Sequence, residues 1–416
     1  MSQLITRLGL GGPAEGPATA PAAPTTIRRP RLYALDGLRL VAAVTAMTWH
    51  YTGFQRFTDV WEGKPGVLMP ALHKFSVYGW IGVPFFFIIS GFVICMSAWG
   101  RSPGEFMVSR VTRLFPAYWL AVFMTGTLLI LARPTWVDKV KSLSYTDILT
   151  NLTMMQDGIA GRDIDGVYWT LYIELRFYVL FGLMMALGAL TYRKAVAFCG
   201  LWLFFSAIAS NADIPLLQIM LFPQWAPYFI AGMAMYLIYR FGSNLLLWCI
   251  IAFAWLLAQH QLQPVLRNYS ADAQEKLSFT VTLALITLAF GAMIAVAMGW
   301  LDRIQWKWLT VAGALTYPVY LVHQEIGWWV IHELHAQVNA YVLVVSLIAA
   351  MLVLAYLIHR LVERPVSKRL KRGLDSALRD IRAGGGRQRH QPSGAGSGAH
   401  AESVSEERAA TAELQP

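Results

Sequence analysis

Apolar residues fall into ten long runs along this chain, at 36–54, 78–99, 115–132, 167–190, 195–210, 224–240, 243–258, 278–299, 308–331 and 340–362. Unbroken apolar runs of this kind read as membrane helices. A helix needs roughly 20 residues to cross a bilayer, so the shorter runs must extend into their flanks. The pattern predicts an all-α polytopic membrane protein with about ten transmembrane helices. An even number of crossings returns the chain to the side on which it started. No internal repeat suggests two inverted transporter halves.

Composition agrees with this reading. The chain is 56% hydrophobic and only 14% charged, with a mean hydropathy of +0.47. A soluble protein of this length is far less apolar. Residues 1–30, rich in Pro, Ala, Gly and Thr, read as a disordered tail without the apolar core of a signal peptide. The predicted transmembrane domain is 31–372, and 373–416 reads as a second disordered tail. The three cysteines, Cys95, Cys199 and Cys249, lie in apolar runs and suggest neither a disulfide framework nor a metal site.

Charge sets the orientation. Basic residues at Arg28, Arg29 and Arg31 precede the first run, whereas the loops 211–223 and 332–339 carry no Lys or Arg. This asymmetry places both termini in the cytoplasm, in a cell (plasma or inner) membrane. The loop 133–166 runs against it, with Arg133, Lys139, Lys141 and Arg162. The net charge of +10 is concentrated in part in "HRLVERPVSKRLKR", 359–372. Directly after the last apolar run, that segment reads as an anchor for anionic lipid and not as a nucleic-acid site.

Several polar residues are too costly to face lipid. Arg39 and His50 lie eleven positions apart in the first run, roughly 16 Å of helical rise on nearly one face. That face must look into protein or a wet cavity. Asp36 is one turn from Arg39 and could pair with it. In "YWTLYIELRFYVLF", 168–181, Glu174 and Arg176 interrupt an aromatic helix that also carries Trp169, Tyr172 and Tyr178. Glu174 could orient His50 as a general base, or form a structural pair with Arg176 or Arg39. Arg110 and Arg113 share a helical face and could grip phosphates, or could simply mark the cytoplasmic side. His323 and Glu325 lie near the end of the ninth run. Glu363-Arg364-Pro365 reads as a helix-terminating salt bridge. In "GWIGVPFFFIISGFVI", 79–94, the small residues Gly79, Gly82, Ser90 and Gly91 permit close helix packing.

Taken in order, "LDGLR" with Arg39-x10-His50, "FFFIISGFVI", Arg110-x-x-Arg113 with "RLFPAYW", "YWTLYIELRFY", "TYPVYLVHQ" and "VERP" resemble the acyltransferase-3 family of integral membrane acyltransferases. The resemblance covers about 31–366. It implies a ten-span fold and an O-acyltransferase that moves a short acyl group from acyl-CoA to a hydroxyl. The acceptor would be a sugar, a cell-surface glycan or glycolipid, or a macrolide-type metabolite. By the same resemblance His50 and Glu174 are catalytic, and Arg39, Arg110, Arg113, Trp169 and His323 bind substrate. No bound cofactor or metal is implied; acyl-CoA is a co-substrate. Family members with an added extracytoplasmic domain continue past the last span, and this chain departs from them by ending in a short polar tail. Embedded Arg, His and Glu are also compatible with a transporter of a polar or acidic solute, or with a membrane scaffold.

Overall fold

A computed structural model describes residues 32–134, 144–159, 161–212 and 214–388, with side chains as far as Asp380. All regular structure among the described residues is helical. Ten helices follow the ten apolar runs: α1 Tyr33–Thr48, α2 Gly82–Ala98, α3 Pro103–Ala132, α4 Tyr168–Ala186, α5 Tyr192–Ala209, α6 Ala226–Phe241, α7 Leu245–His260, α8 Phe279–Ala297, α9 Leu309–Leu334 and α10 Ala340–Ile358. An eleventh, α11 Arg364–Gln388, extends from the last of them.

Among the described residues six stretches are long and apolar enough to cross a membrane. A bent pair, α7 with Leu262–Ala273 at 48°, makes a seventh. The helices that fall outside this set are α1, α6 and α9. They carry much of the buried or cavity-facing surface. In α6 every residue from Ala226 to Ile238 is buried, because α2, α5, α7 and α8 all pack on it. Helix α9 buries Thr316, His323, Gln324 and Glu325 between α1, α3 and α10. A helix shielded by its neighbours does not need the continuous apolar surface that lipid demands.

Close packing at the centre depends on glycine. A Cβ on Gly91 would lie 2.1 Å from the Phe229 carbonyl oxygen, and one on Gly232 would lie 2.0 Å from that of Ile88. The backbones of α2 and α6 therefore touch directly, as small residues allow in membrane helix pairs.

Three boundaries depart from the sequence reading. The third apolar run begins at 115, but α3 begins at Pro103, where a Ser102/Glu105 capping box satisfies the first backbone donors. Arg110 and Arg113, expected on one helical face, lie within this helix and before the apolar run begins. At the other end, Glu363 does not form the expected helix-terminating pair with Arg364. It bonds His359 Nδ1 at 2.8 Å, and the chain passes through a π turn, His359–Glu363, into α11. The ordered chain consequently continues past the boundary at 372. Val366, Leu370, Leu374 and Leu378 recur every four residues and are half-buried. A Cβ on Gly104 of α3 would lie 3.2 Å from Leu378. That apolar stripe gives α11 a packing surface as far as Leu378. The tail assignments for 1–30 and 389–416 fall outside the described residues, apart from this correction.

Candidate active site

Among the described residues, two cavities hold the candidate side chains. The first, the arginine cavity, encloses about 720 Å³ including its opening, and is lined by Arg39 of α1, Ser90 of α2, Arg110 and Arg113 of α3, and Glu174 and Tyr178 of α4. Glu174 accepts hydrogen bonds from Ser90 Oγ at 2.7 Å and Tyr178 OH at 2.5 Å. Tyr178 is one turn along α4, so this contact follows from the helical period. Arg110 is buried, donates to Ser109 Oγ at 3.0 Å, and keeps its Nε without a partner. Among the described residues no carboxylate lies within 4.0 Å of Arg39, Arg110 or Arg113. Three guanidinium groups line this cavity with one carboxylate, Glu174, and Asp36 lies one turn from Arg39; the balance stays positive, suited to an anionic ligand with planar, multidentate oxygens.

The second, the histidine cavity, encloses about 1290 Å³ including its opening, and contains His50, Trp169, Trp225, Tyr269 and Trp328. His50 lies on a π turn, Trp49–Gly53, that ends α1. Such turns free backbone carbonyls and recur at functional sites. Here three successive carbonyls are taken by side chains from elsewhere. Trp328 Nε1 donates to His50 O at 2.7 Å, Trp61 Nε1 to Tyr51 O at 2.9 Å, and His73 Nδ1 to Thr52 O at 2.6 Å. These bonds fix the backbone that aims the His50 ring. The His323 ring stands edge-to-face with it, 5.2 Å between centroids. His323 is fully buried, and its Nδ1 donates to Tyr320 O at 2.9 Å. Tyr51 OH donates to His323 O at 2.8 Å. Two ring nitrogens, His50 Nδ1 and His323 Nε2, are buried with no hydrogen-bond partner.

The rest of the wall is aromatic with polar points. Trp169 packs on Trp225 at 5.3 Å and Trp80 stacks on Tyr269 at 4.2 Å. Arg56 and Asp272 form an ion pair at 3.4 Å within the same lining. Val83 and Tyr320 border both cavities. Thr170 Oγ1 donates to Val167 O, so the 2.7 Å contact between Thr170 and Tyr320 is a bond donated by the Tyr320 hydroxyl.

The sequence-derived residues thus divide into two groups. Arg39, Arg110, Arg113 and Glu174 meet in the arginine cavity. His50 and Trp169 line the histidine cavity, with His323 packed against His50. The expected pairing of Glu174 with His50 is absent: they line different cavities and no hydrogen bond joins them. Nor does Glu174 bond Arg176. That guanidinium lies over Tyr172 at 4.8 Å and Phe222 at 5.0 Å, and donates to Ile219 O at 2.9 Å. Two positions of offset on a helix turn Glu174 and Arg176 to different faces. The sequence reading placed His323 near a span end; it lies mid-helix in the core. It did not single out Tyr320 as a junction residue, or the fully buried Asp165.

A model of an acyltransferase domain, the acyltransferase-3 type, matches residues 32–360, nearly all of the helical bundle. The chain belongs to the acyltransferase-3 family. Among curated relatives, the family member is 28% identical over 159 residues to acyltransferase MdmB of Streptomyces mycarofaciens, covering 37% of this chain and 39% of that one. It is 25% identical over 170 residues to "Putative peptidoglycan O-acetyltransferase YrhL" of Bacillus subtilis strain 168, covering 37% of this chain and 24% of that one. The chain therefore matches well under half the length of either relative. No solved structure gives a significant match.

Proposed function

We propose that this protein is a multi-pass membrane O-acyltransferase, with acyl-CoA as donor and a hydroxylated molecule as acceptor. The observation that carries the reading is the junction at Val83 and Tyr320 between an arginine-lined cavity and a histidine-lined one. An acyl thioester of coenzyme A has phosphates at one end and a reactive carbonyl at the other. The two cavities separate the groups suited to each.

In this mechanism Arg39, Arg110 and Arg113 take the phosphates by charge-assisted hydrogen bonds. Glu174, held by Ser90 and Tyr178, limits repulsion among the three cations and shapes the wall. It is not the orienting partner of His50. The acyl end passes Tyr320 and reaches the histidine cavity. His50 removes the acceptor hydroxyl's proton as that oxygen attacks the thioester carbonyl. The carbon–sulfur bond breaks, and protonated His50 returns the proton to the departing thiolate. The aromatic wall around Trp169 and Trp225 offers flat apolar faces with polar edges, suited to a sugar ring.

The Bacillus relative is named for peptidoglycan O-acetylation, which favours an acetyl group and a cell-envelope glycan. The basic face of α11 supports a cytoplasmic position for the arginine end, in the plasma membrane, with both termini cytoplasmic. The test is reconstitution in nanodiscs with labelled acetyl-CoA and an envelope-glycan extract. The reading expects alkali-labile label on the acceptor. Solute flux in proteoliposomes without any donor, and no label transfer, would favour a transporter instead.

A further inference from the structure

The acyl-transfer reading gives His50 the role of base but leaves its orientation unexplained, because Glu174 lies in the other cavity. A histidine base works only when one ring nitrogen carries the proton and the other presents its lone pair to the substrate. In the familiar arrangement a buried carboxylate accepts a hydrogen bond from the protonated ring nitrogen. Among the described residues no carboxylate bonds His50.

What stands beside it is a second imidazole. The Nδ1–H of His323 is committed to Tyr320 O at 2.9 Å. A carbonyl only accepts, so Nδ1 carries the proton, and neutral His323 has its lone pair on Nε2. That nitrogen is buried without a partner, and so is Nδ1 of His50. One lacks a donor and the other can supply a proton. The ring separation suits the pairing. A ring nitrogen lies about 1.2 Å from its ring centre, so an N–H···N bond of about 2.9 Å corresponds to centroids about 5 Å apart. The observed separation is 5.2 Å. With His323 held by its Tyr320 bond, rotation of the His50 ring about its terminal torsion, which is soft, moves its Nδ1 relative to His323 Nε2.

Resting on the acyl-transfer reading, we propose that His323 is the positioning residue for His50: its Nε2 accepts a hydrogen bond from the His50 Nδ1–H and so leaves the His50 Nε2 lone pair facing the histidine cavity. The contact differs from a carboxylate dyad in one respect. An acceptor that is itself neutral adds no negative charge to the membrane interior, where an unpaired carboxylate is costly. His323 is in turn held at both ends of its own bonding, through Tyr320 O and through the Tyr51 hydroxyl on its carbonyl. Among the described residues, the ionisable groups around the pair include Tyr51 and Tyr320, whose rings pack on His323, Tyr269 and the Arg56–Asp272 pair of the cavity wall, and, outside that lining, Asp165, whose Oδ2 accepts from the Glu325 backbone N–H. The arginines and Glu174 belong to the other cavity.

The experiment compares His323→Leu, His323→Gln and His50→Ala, each as full chain in nanodiscs, with kcat, KM for acetyl-CoA and a pH–rate profile measured for each. His323→Leu removes the acceptor. It is expected to lower kcat by about 10-fold or more, within the range of general-base effects, while KM for the donor stays unchanged because the arginine cavity is intact. His323→Gln can place an amide oxygen near the Nε2 position. It is expected to recover part of the lost rate, but with a displaced pH midpoint, because the wild-type midpoint belongs to two coupled imidazoles. A purely structural histidine would lose rate only in step with thermal stability and would leave the pH midpoint in place. If His323→Leu, or His323→Gln where the Leu variant does not fold, keeps the wild-type kcat and midpoint, the positioning role is wrong. If His50→Ala also transfers at the wild-type rate, the underlying reading fails as well, and the two failures are thereby told apart.

Discussion

Val83 of α2 and Tyr320 of α9 are shared by both cavities, and the Tyr320 hydroxyl is tied to Thr170 of α4 at 2.7 Å. Three helices therefore meet where the acyl end of a donor would pass. Val83→Phe adds bulk at this junction without touching an arginine or a histidine. It is expected to lower kcat about 10-fold or more through misplacement of the thioester, while the affinity for acetyl-CoA measured by equilibrium binding is unchanged. An equal loss in kcat and donor affinity would mean that the two cavities are not used in series.

The arginines should control donor affinity. Charge-assisted hydrogen bonds contribute about 1.5–3 kcal/mol each, or roughly 10- to 100-fold in a dissociation constant. Arg110→Ala and Arg113→Ala should each weaken acetyl-CoA binding within that range. Arg110→Lys should recover less than the full affinity, because an ammonium cannot make bidentate contacts. Titration with acetyl-CoA and with dephospho-CoA would show whether the loss follows the phosphates.

Glu174 has a structural task that can be measured without substrate. Its carboxylate takes bonds from Ser90 and Tyr178 on α2 and α4. Removing both donors together, as Ser90→Ala with Tyr178→Phe, leaves that carboxylate without either partner. Loss of about 1–3 kcal/mol is expected, read as a lower thermal midpoint in detergent. A double mutant as stable as the wild type would show that another group holds Glu174.

The α2–α6 contact makes a sharper packing prediction. Gly91→Ala and Gly232→Ala each drive a methyl group into a carbonyl oxygen and should destabilise by about 1–3 kcal/mol or block folding. Gly200→Ala and Gly291→Ala, where an added Cβ meets nothing within 4 Å, should be close to neutral. Similar behaviour of all four would contradict the direct backbone contact.

Much of this architecture is visible in the amino-acid order. The apolar runs locate all ten helices, because exclusion of polar side chains from lipid leaves a long signal in the chain. Arg39, Glu174 and the Arg110–Arg113 pair are legible for the converse reason, since each is expensive at depth. The π turn at Trp49–Gly53 is not legible: it is held by Trp61, His73 and Trp328, which come from distant segments. The placement of the His323 ring beside His50 is hidden for the same reason. Cost at depth shows that a group needs company, but 273 positions separate His50 from His323, and no local period reveals that they touch. The early start of α3 was legible in principle. Ser102-Pro103-Gly104-Glu105 is a capping-box sequence, hidden only because hydropathy rises later than the helix begins.

The most direct test of the central claim is the rate of label transfer by His50→Ala, measured beside its affinity for acetyl-CoA in the same nanodisc preparation. General-base effects of this kind are on the order of 10²- to 10⁴-fold. The account predicts a fall of that size in transfer with donor affinity unchanged, because the arginine cavity does not include His50. Transfer at the wild-type rate by a folded His50→Ala protein would contradict it.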